Sequence, residues 1–232
     1  MAKPVRVACR LPAFLLVSVV LSMLSGCGGG VPGIVTAGVV AGEDAVPAKE
    51  ELAKTGPLSE HTLGKPGAPV TIIEYASLGC PICAYFHKTV FARFKADYID
   101  TGKVYYIYRE FPIGASPAAA AHAVRCADEK HYFSLNNKFM AHRDQWNARN
   151  PDHDLLYKIV KDTGLSRTAF DSCMANQEIQ EGVNWVKLRG RELGVKGTPT
   201  FFINDDKIRG VLSYDEMKTI IGKHLASAAN PA

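Results

Sequence analysis

A chain of 232 residues, of which 47% are hydrophobic and 22% charged, has enough apolar material for the core of one domain, or of one domain with an insertion. Its 27 Lys and Arg stand against 23 Asp and Glu, a net charge of +4, and the basic residues are spread along the chain. That spread, with no interleaving of aromatic and basic side chains, excludes a nucleic-acid-binding strip.

Lys3, Arg6 and Arg10 form a basic leader ahead of an apolar run from Leu11 to Leu24. The run is too short to favour a membrane span and reads as an export signal. It closes in Leu24-Ser25-Gly26-Cys27, which resembles the bacterial lipobox. The resemblance implies cleavage after residue 26 and lipidation of Cys27; the alternative is an ordinary cleavage site beside an incidental cysteine. Two kinds of lipid chain on Cys27 would exceed the two-signal condition for stable anchoring. Gly28 in place of Asp implies sorting to the outer membrane. Residues 27–58 are rich in Gly, Ala, Val and Pro, and are expected to form a flexible tether with an end-to-end distance of roughly 30 Å. The folded domain is expected over 59–226, with a frayed tail over 227–232.

Val70 to Ala76 is an apolar run broken by Glu74, the pattern of a strand covered on both faces. A carboxylate there is costly unless paired or protonated. Either Glu74 turns to solvent at the strand end, or it is a buried acid that relays protons to Cys83; raised carboxyl pKa values cluster at functional sites, which favours the second reading. A Gly turn then leads into Cys80-Pro81-Ile82-Cys83. Cys83, Phe86, Val90, Phe94 and Tyr98 are three or four apart, so they share one buried helical face and Cys83 points inward. Cys80 falls at the helix start, where free N–H groups and the positive dipole end favour a thiolate. Pro81 suits the first helical position, and the two sulfurs are one turn apart, within disulfide reach.

The helix is expected to end near Asp100, and Lys103 to Glu110 is a strand parallel to the first. Ser116 is expected to cap, and Pro117 to open, a helical region spanning about 115–182, with segments near 117–129, 131–145, 154–162 and 167–175. Cys126 and Cys173 fall on inward faces there. Two buried free thiols are the bland reading, but export to an oxidising space favours a structural bridge between them. A further helix runs from Glu181 to Leu193. After Thr198-Pro199 a strand reaches Ile203, Asn204-Asp205-Asp206 turns it, and Lys207 to Leu212 returns. Ser213 caps a closing helix from Tyr214 to about Leu225.

Cys-X-X-Cys between a strand and a helix is a redox signal, and its rival is half of a zinc site. Zinc asks for four ligands, no second Cys-X-X-Cys exists, and His87 is expected to be an exposed helix residue. With Gly197-Thr198-Pro199 added, the pattern resembles the thioredoxin fold: Cys-X-X-Cys opening the first helix and a cis-proline loop facing it. The helical insertion, and Glu-Tyr-Ala-Ser two residues before Cys-Pro-X-Cys, resemble the DsbA-like branch. The resemblance covers about His61 to Leu225.

It implies an α/β, thioredoxin-like fold with a helical insertion subdomain, and a thiol:disulfide oxidoreductase. Cys80 becomes the exposed nucleophile, Cys83 its buried partner and Glu74 the buried acid. Thr198 and Pro199 become the loop that holds a substrate backbone, with Pro81 and Ile82 beside it. DsbA has His where Ile82 stands, so Cys80 is expected to be less acidic than in DsbA and the protein a weaker oxidant. Thr before the cis-proline is shared with DsbC-type isomerases. The expected partners are exported proteins with cysteine thiols, a DsbB-like membrane oxidase and, through Cys27, a membrane surface facing the periplasm. No cofactor, no metal and a monomer are expected. A reductase or isomerase, and a non-catalytic anchored binding protein with a merely structural Cys pair, stay open as alternatives.

Overall fold

The computed structural model describes residues 46–230; the export signal, Cys27 and most of the expected tether lie outside them. Val70–Ala76 (β2) forms the middle of the sheet, with every residue but Thr71 buried. It runs parallel to Val104–Glu110 (β3) and antiparallel to Thr200–Ile203 (β4). His61–Leu63 (β1) pairs with β3 at one edge and Asp206–Arg209 (β5) with β4 at the other, giving the order β1-β3-β2-β4-β5. β1 escaped the sequence reading because three residues are too few to show a period. β5 is shorter than expected, since Gly210 follows it at φ +99° and turns the chain away. Asn204, at φ +46°, makes the tight turn between β4 and β5.

Residues 81–99 (α2) run as one helix in which α turns at Pro81–Phe86 and Ala92–Phe94 alternate with π turns at His87–Phe91 and Lys95–Ile99. The spacing explains the winding. Phe86, Val90, Phe94 and Tyr98 are four apart, and four residues overshoot a 3.6-residue turn by about 40°. Wider π turns cancel that drift, and all four side chains stay at or below 9% exposure on one face. They pack on Ile72, Ala76, Tyr106 and Phe201, together with Tyr214–Ala229 (α9) and the insertion.

The insertion consists of Ala115–Arg125 (α3), Tyr132–Ala141 (α4), Arg143–Trp146 (α5), His153–Val160 (α6) and Arg167–Met174 (α7). Ser116 is not the cap of α3. Gly114, at φ +105°, takes that place, and Pro117 sits in the first turn, where its missing N–H costs nothing. Cys126 and Cys173 are joined by a disulfide, their Cα atoms 5.7 Å apart and 47 positions apart in sequence. Closing a loop of that length stabilises by about 4 kcal/mol in the chain-entropy account. Glu110, at the end of β3, accepts hydrogen bonds from Arg125 and Tyr132 and ties the insertion to the sheet.

The other sheet face, with Ile73, Tyr75, Ile107 and Phe202, is covered by Gln177–Glu192 (α8). This helix starts four residues earlier than expected because Asn176 caps it. The tether reading fails for residues 46–58. Lys49–Leu52 (α1) buries Leu52 against this face, and Glu51 pairs with Arg189. Gly182 leaves the space Leu58 occupies, since a Cβ there would stand 2.3 Å from Leu58 Cγ. A few large side chains in notches made by glycine hold the segment, and such pairings leave no periodic trace. α9 likewise continues to Ala229 instead of fraying at 226, as its Ala-rich end favours helix.

Candidate active site

The turn after β2 brings the site residues together. Cys80 N–H donates to Ser77 O at 3.0 Å, and Asn147 Nδ2 donates to Gly79 O at 3.3 Å. Gly79 is required there, because a Cβ would stand 2.6 Å from Pro117 Cγ. The turn is therefore wedged against the insertion.

Cys80 is the N-cap of α2, with Pro81 in the first position, and its sulfur accepts the Cys83 backbone N–H at 3.4 Å. Cys80 is half-buried, Cys83 fully buried, and both are free thiols here. Facing Cys80 is the Thr198–Pro199 loop, whose peptide bond is cis. The Cys80 thiol donates to the Thr198 carbonyl at 3.3 Å. The loop is held by Thr200 Oγ1 donating to Gly197 O at 2.7 Å and by Gly210 N–H donating to Pro199 O at 2.9 Å. Thr198 Oγ1 is buried with no hydrogen-bond partner at bonding distance among the described residues, and the Thr198 side chain lowers the Cys80 thiol.

These contacts act on the two sulfurs in opposite directions. A hydrogen bond from the Cys83 side chain, then the influence of Thr198 and of the backbone N–H groups of Cys83 and Ile82, outweigh burial and lower the Cys80 thiol to about 5. Burial pushes the Cys83 thiol up, and the Cys80 and Glu74 charges add to that. The result is one sulfur poised as a nucleophile or leaving group and one held as a shielded thiol.

Glu74 is fully buried on β2 and so does not turn to solvent. Tyr106 OH donates to its Oε2, and His87 Nε2 lies 3.2 Å from its Oε1. His87 corrects the expectation of an exposed residue: its side chain is 4% exposed. The clue was its spacing, since a residue four past Cys83 falls on the same inward face. Ile82, Tyr85 and Ile113 are 45%, 58% and 56% exposed on α2 and beside the turn, an exposed apolar surface next to Cys80. Among the described residues, His122, Cys126 and Cys173 converge as metal ligands would, but both sulfurs are consumed in the disulfide.

The family described as Thioredoxin matches residues 58–223. A provisionally named protein-disulfide oxidoreductase of Rickettsia conorii is 33% identical over 172 residues, which cover 72% of this chain and 61% of that protein. The chain thus spans about three fifths of the length of this curated relative. Disulfide bond formation protein D of Bacillus subtilis is 26% identical over 168 residues, 70% of this chain and 76% of that one. The crystal structure of alpha-DsbA1 from Wolbachia pipientis is 33% identical, with a TM-score of 0.70, over 77% of this chain and 97% of that chain. Oxidised BdbD from Bacillus subtilis, 24% identical with a TM-score of 0.67 over 79% and 99% of the two chains, shares the fold.

Proposed function

The chain belongs to the thioredoxin family, in its DsbA-like branch, and on that premise we propose that it is a thiol:disulfide oxidoreductase that introduces disulfides into exported proteins. A substrate thiolate attacks Cys80 Sγ. A mixed disulfide forms, the Cys80–Cys83 bond breaks, and the electron pair leaves on Cys83, which takes up a proton. A second substrate thiolate then attacks the substrate sulfur of the mixed disulfide and expels Cys80 as a thiolate. The substrate leaves oxidised, the protein reduced by two electrons. What supports the direction is the position of Cys80 as N-cap of α2, its sulfur accepting the Cys83 N–H at 3.4 Å and its thiol lowered, because a stabilised thiolate makes the reduced protein the favoured product.

Thr198 and Pro199 hold the substrate backbone beside Cys80, with Pro81 and Ile82 on its flank, and Glu74 delivers the proton to Cys83. Lipid on Cys27 anchors the domain to a membrane facing the periplasm, the outer membrane by the Gly28 signal. A DsbB-like membrane oxidase reoxidises the pair, and the protein works as a monomer. The test is a Cys83→Ala variant, which strands substrates on Cys80 as mixed disulfides. Exported proteins with paired cysteines should accumulate, and the unsubstituted protein should oxidise a reduced test protein. An empty trap, or a pair that only reduces disulfides, would overturn the reading.

A further inference from the structure

We propose that His87 is the proton port of the redox pair: it links an open surface groove to Glu74 and, through Glu74, to Cys83. The inference rests on Cys80 and Cys83 being that pair.

Glu74 has no direct access to water, since it is 0% exposed. Its Oε2 is taken by Tyr106, which is itself buried in the core. Its Oε1 faces His87 Nε2. Of these two partners, only His87 also lines a groove of about 400 Å³ between α2 and the insertion, walled by Pro81, Tyr85, Asn137 and Asp144. The second ring nitrogen, Nδ1, is buried and has no hydrogen-bond partner among the described residues, a place that a water drawn in from the groove would satisfy. An imidazole with one nitrogen on a buried acid and the other unmatched can take a proton on one side and release one on the other. The ring is also held still. Phe91 stacks on it at 4.7 Å between centroids, and Phe86 meets it edge-on at 5.5 Å.

Beyond Glu74 the path continues toward the sulfur. Tyr108 stands opposite Glu74 in the β2–β3 register, and its hydroxyl is buried without a hydrogen-bond partner among the described residues. The Tyr108 ring also meets His87, 6.1 Å between centroids, and burial with the charges of Glu74 and Cys83 pushes its hydroxyl up. The titratable groups around His87 are therefore Glu74 from β2, Tyr106 and Tyr108 from β3, Cys83 and Lys88 from its own helix, and Asp144, with the charge of Arg143, from the insertion side of the groove.

When the Cys80–Cys83 bond is broken by a thiolate, the electron pair lands on Cys83 Sγ. A water drawn in from the groove gives a proton to the buried His87 Nδ1, the Nε2 proton passes to Glu74, and a carboxyl proton passes to Cys83. One proton has entered and no group is left with a changed charge except the sulfur it neutralises. Oxidation of the dithiol runs the same transfers backwards, returns the proton to Nε2 and releases the Nδ1 proton to water. His87 never touches the sulfurs and acts as a positioning and relay residue.

Two variants separate relay from packing. His87→Gln keeps a hydrogen bond to Glu74 but cannot pass a proton, whereas His87→Ala opens the groove to added imidazole. The readouts on the full chain are the rate at which glutathione reduces the Cys80–Cys83 disulfide as a function of pH, its solvent deuterium isotope effect, and the equilibrium constant. His87→Gln should slow reduction on the order of 10²-fold, the range of general acid–base catalysis, and flatten the pH profile. The equilibrium constant should stay near that of the unsubstituted protein, and imidazole should restore much of the His87→Ala rate. Unchanged rates and pH profiles in both variants, or a slowed His87→Ala that imidazole does not rescue, would overturn the port. An unsubstituted chain that does not exchange with glutathione would instead sink the redox reading itself.

Discussion

Two pairs of cysteines in this molecule meet opposite fates, and helix ends account for much of the difference. Cys80 sits at the N-terminus of α2, where the dipole and free N–H groups favour negative charge. Cys126 is the C-cap of α3 and Cys173 lies in the last turn of α7, both at the negative end. A thiolate at either of those positions is disfavoured, so reducing that bridge produces two poorly stabilised sulfurs. Reducing Cys80–Cys83 produces one well-stabilised thiolate. The same bond type is thus reactive in one place and a staple in the other, and the location of the reduced product's charge decides which.

The sharpest way to break this comparison is to disable each pair in turn. Cys80→Ser should abolish disulfide exchange with glutathione, while Cys126→Ser with Cys173→Ser should leave the exchange rate within about threefold, since neither sulfur lies in the site. A large rate loss in the double variant would mean that the pairs are coupled. The stability readout should invert. The double variant should lose up to about 4 kcal/mol in denaturant unfolding from the freed loop, while Cys80→Ser in the reduced protein should lose much less when both are compared at about pH 5 or below, where the Cys80 thiol carries no charge.

A pH titration tests the electrostatic half of the argument. The folded Cys80 thiol, at about 5, lies below the value of 9.0 for an unperturbed thiol. Its contribution to the stability of the reduced form is therefore complete above about pH 9, shrinks as pH falls, and is gone below about pH 5. Reduced protein should gain stability over oxidised protein as pH rises through that window, and Cys80→Ser should flatten the difference. Thiolate absorbance should titrate near pH 5 in the unsubstituted protein. A midpoint near the ordinary thiol value would remove the basis for the proposed oxidising direction.

Much of this was legible in the residues because the site is local. Cys80, Pro81 and Cys83 are adjacent in sequence, and the strand before them and the helical face after them are periodic. Glu74 stood out as a charge in an apolar run. What escaped depends on contacts that no period records. The docking of residues 46–58 rests on Leu52, on Leu58 in the notch at Gly182, and on the Glu51–Arg189 pair, single events far apart in the chain. His87 was misread because a polar residue on a helix is taken for a solvated one, although its register with Cys83 pointed inward. It is buried because Glu74, on another element, provides its partner. Ser116 matched the capping pattern, yet Gly114 reached the required entry angle first.

The smallest expected effect isolates one contact. The Thr198 carbonyl accepts the Cys80 thiol hydrogen at 3.3 Å, while Thr198 Oγ1 is buried and has no hydrogen-bond partner among the described residues. Once the sulfur ionises, the carbonyl loses its donor and the hydroxyl becomes the useful group. Thr198→Val keeps the shape and the carbonyl but removes the hydroxyl. One hydrogen bond to a charged group contributes about 1.5 kcal/mol, and a pH unit corresponds to about 1.4 kcal/mol, so the Cys80 midpoint should rise by roughly one unit from about 5. The reduced form should be less favoured by the same factor, roughly tenfold in the exchange equilibrium with glutathione. If the midpoint does not move, the hydroxyl is a packing group, and the acidity of Cys80 comes from Cys83 and the helix start alone.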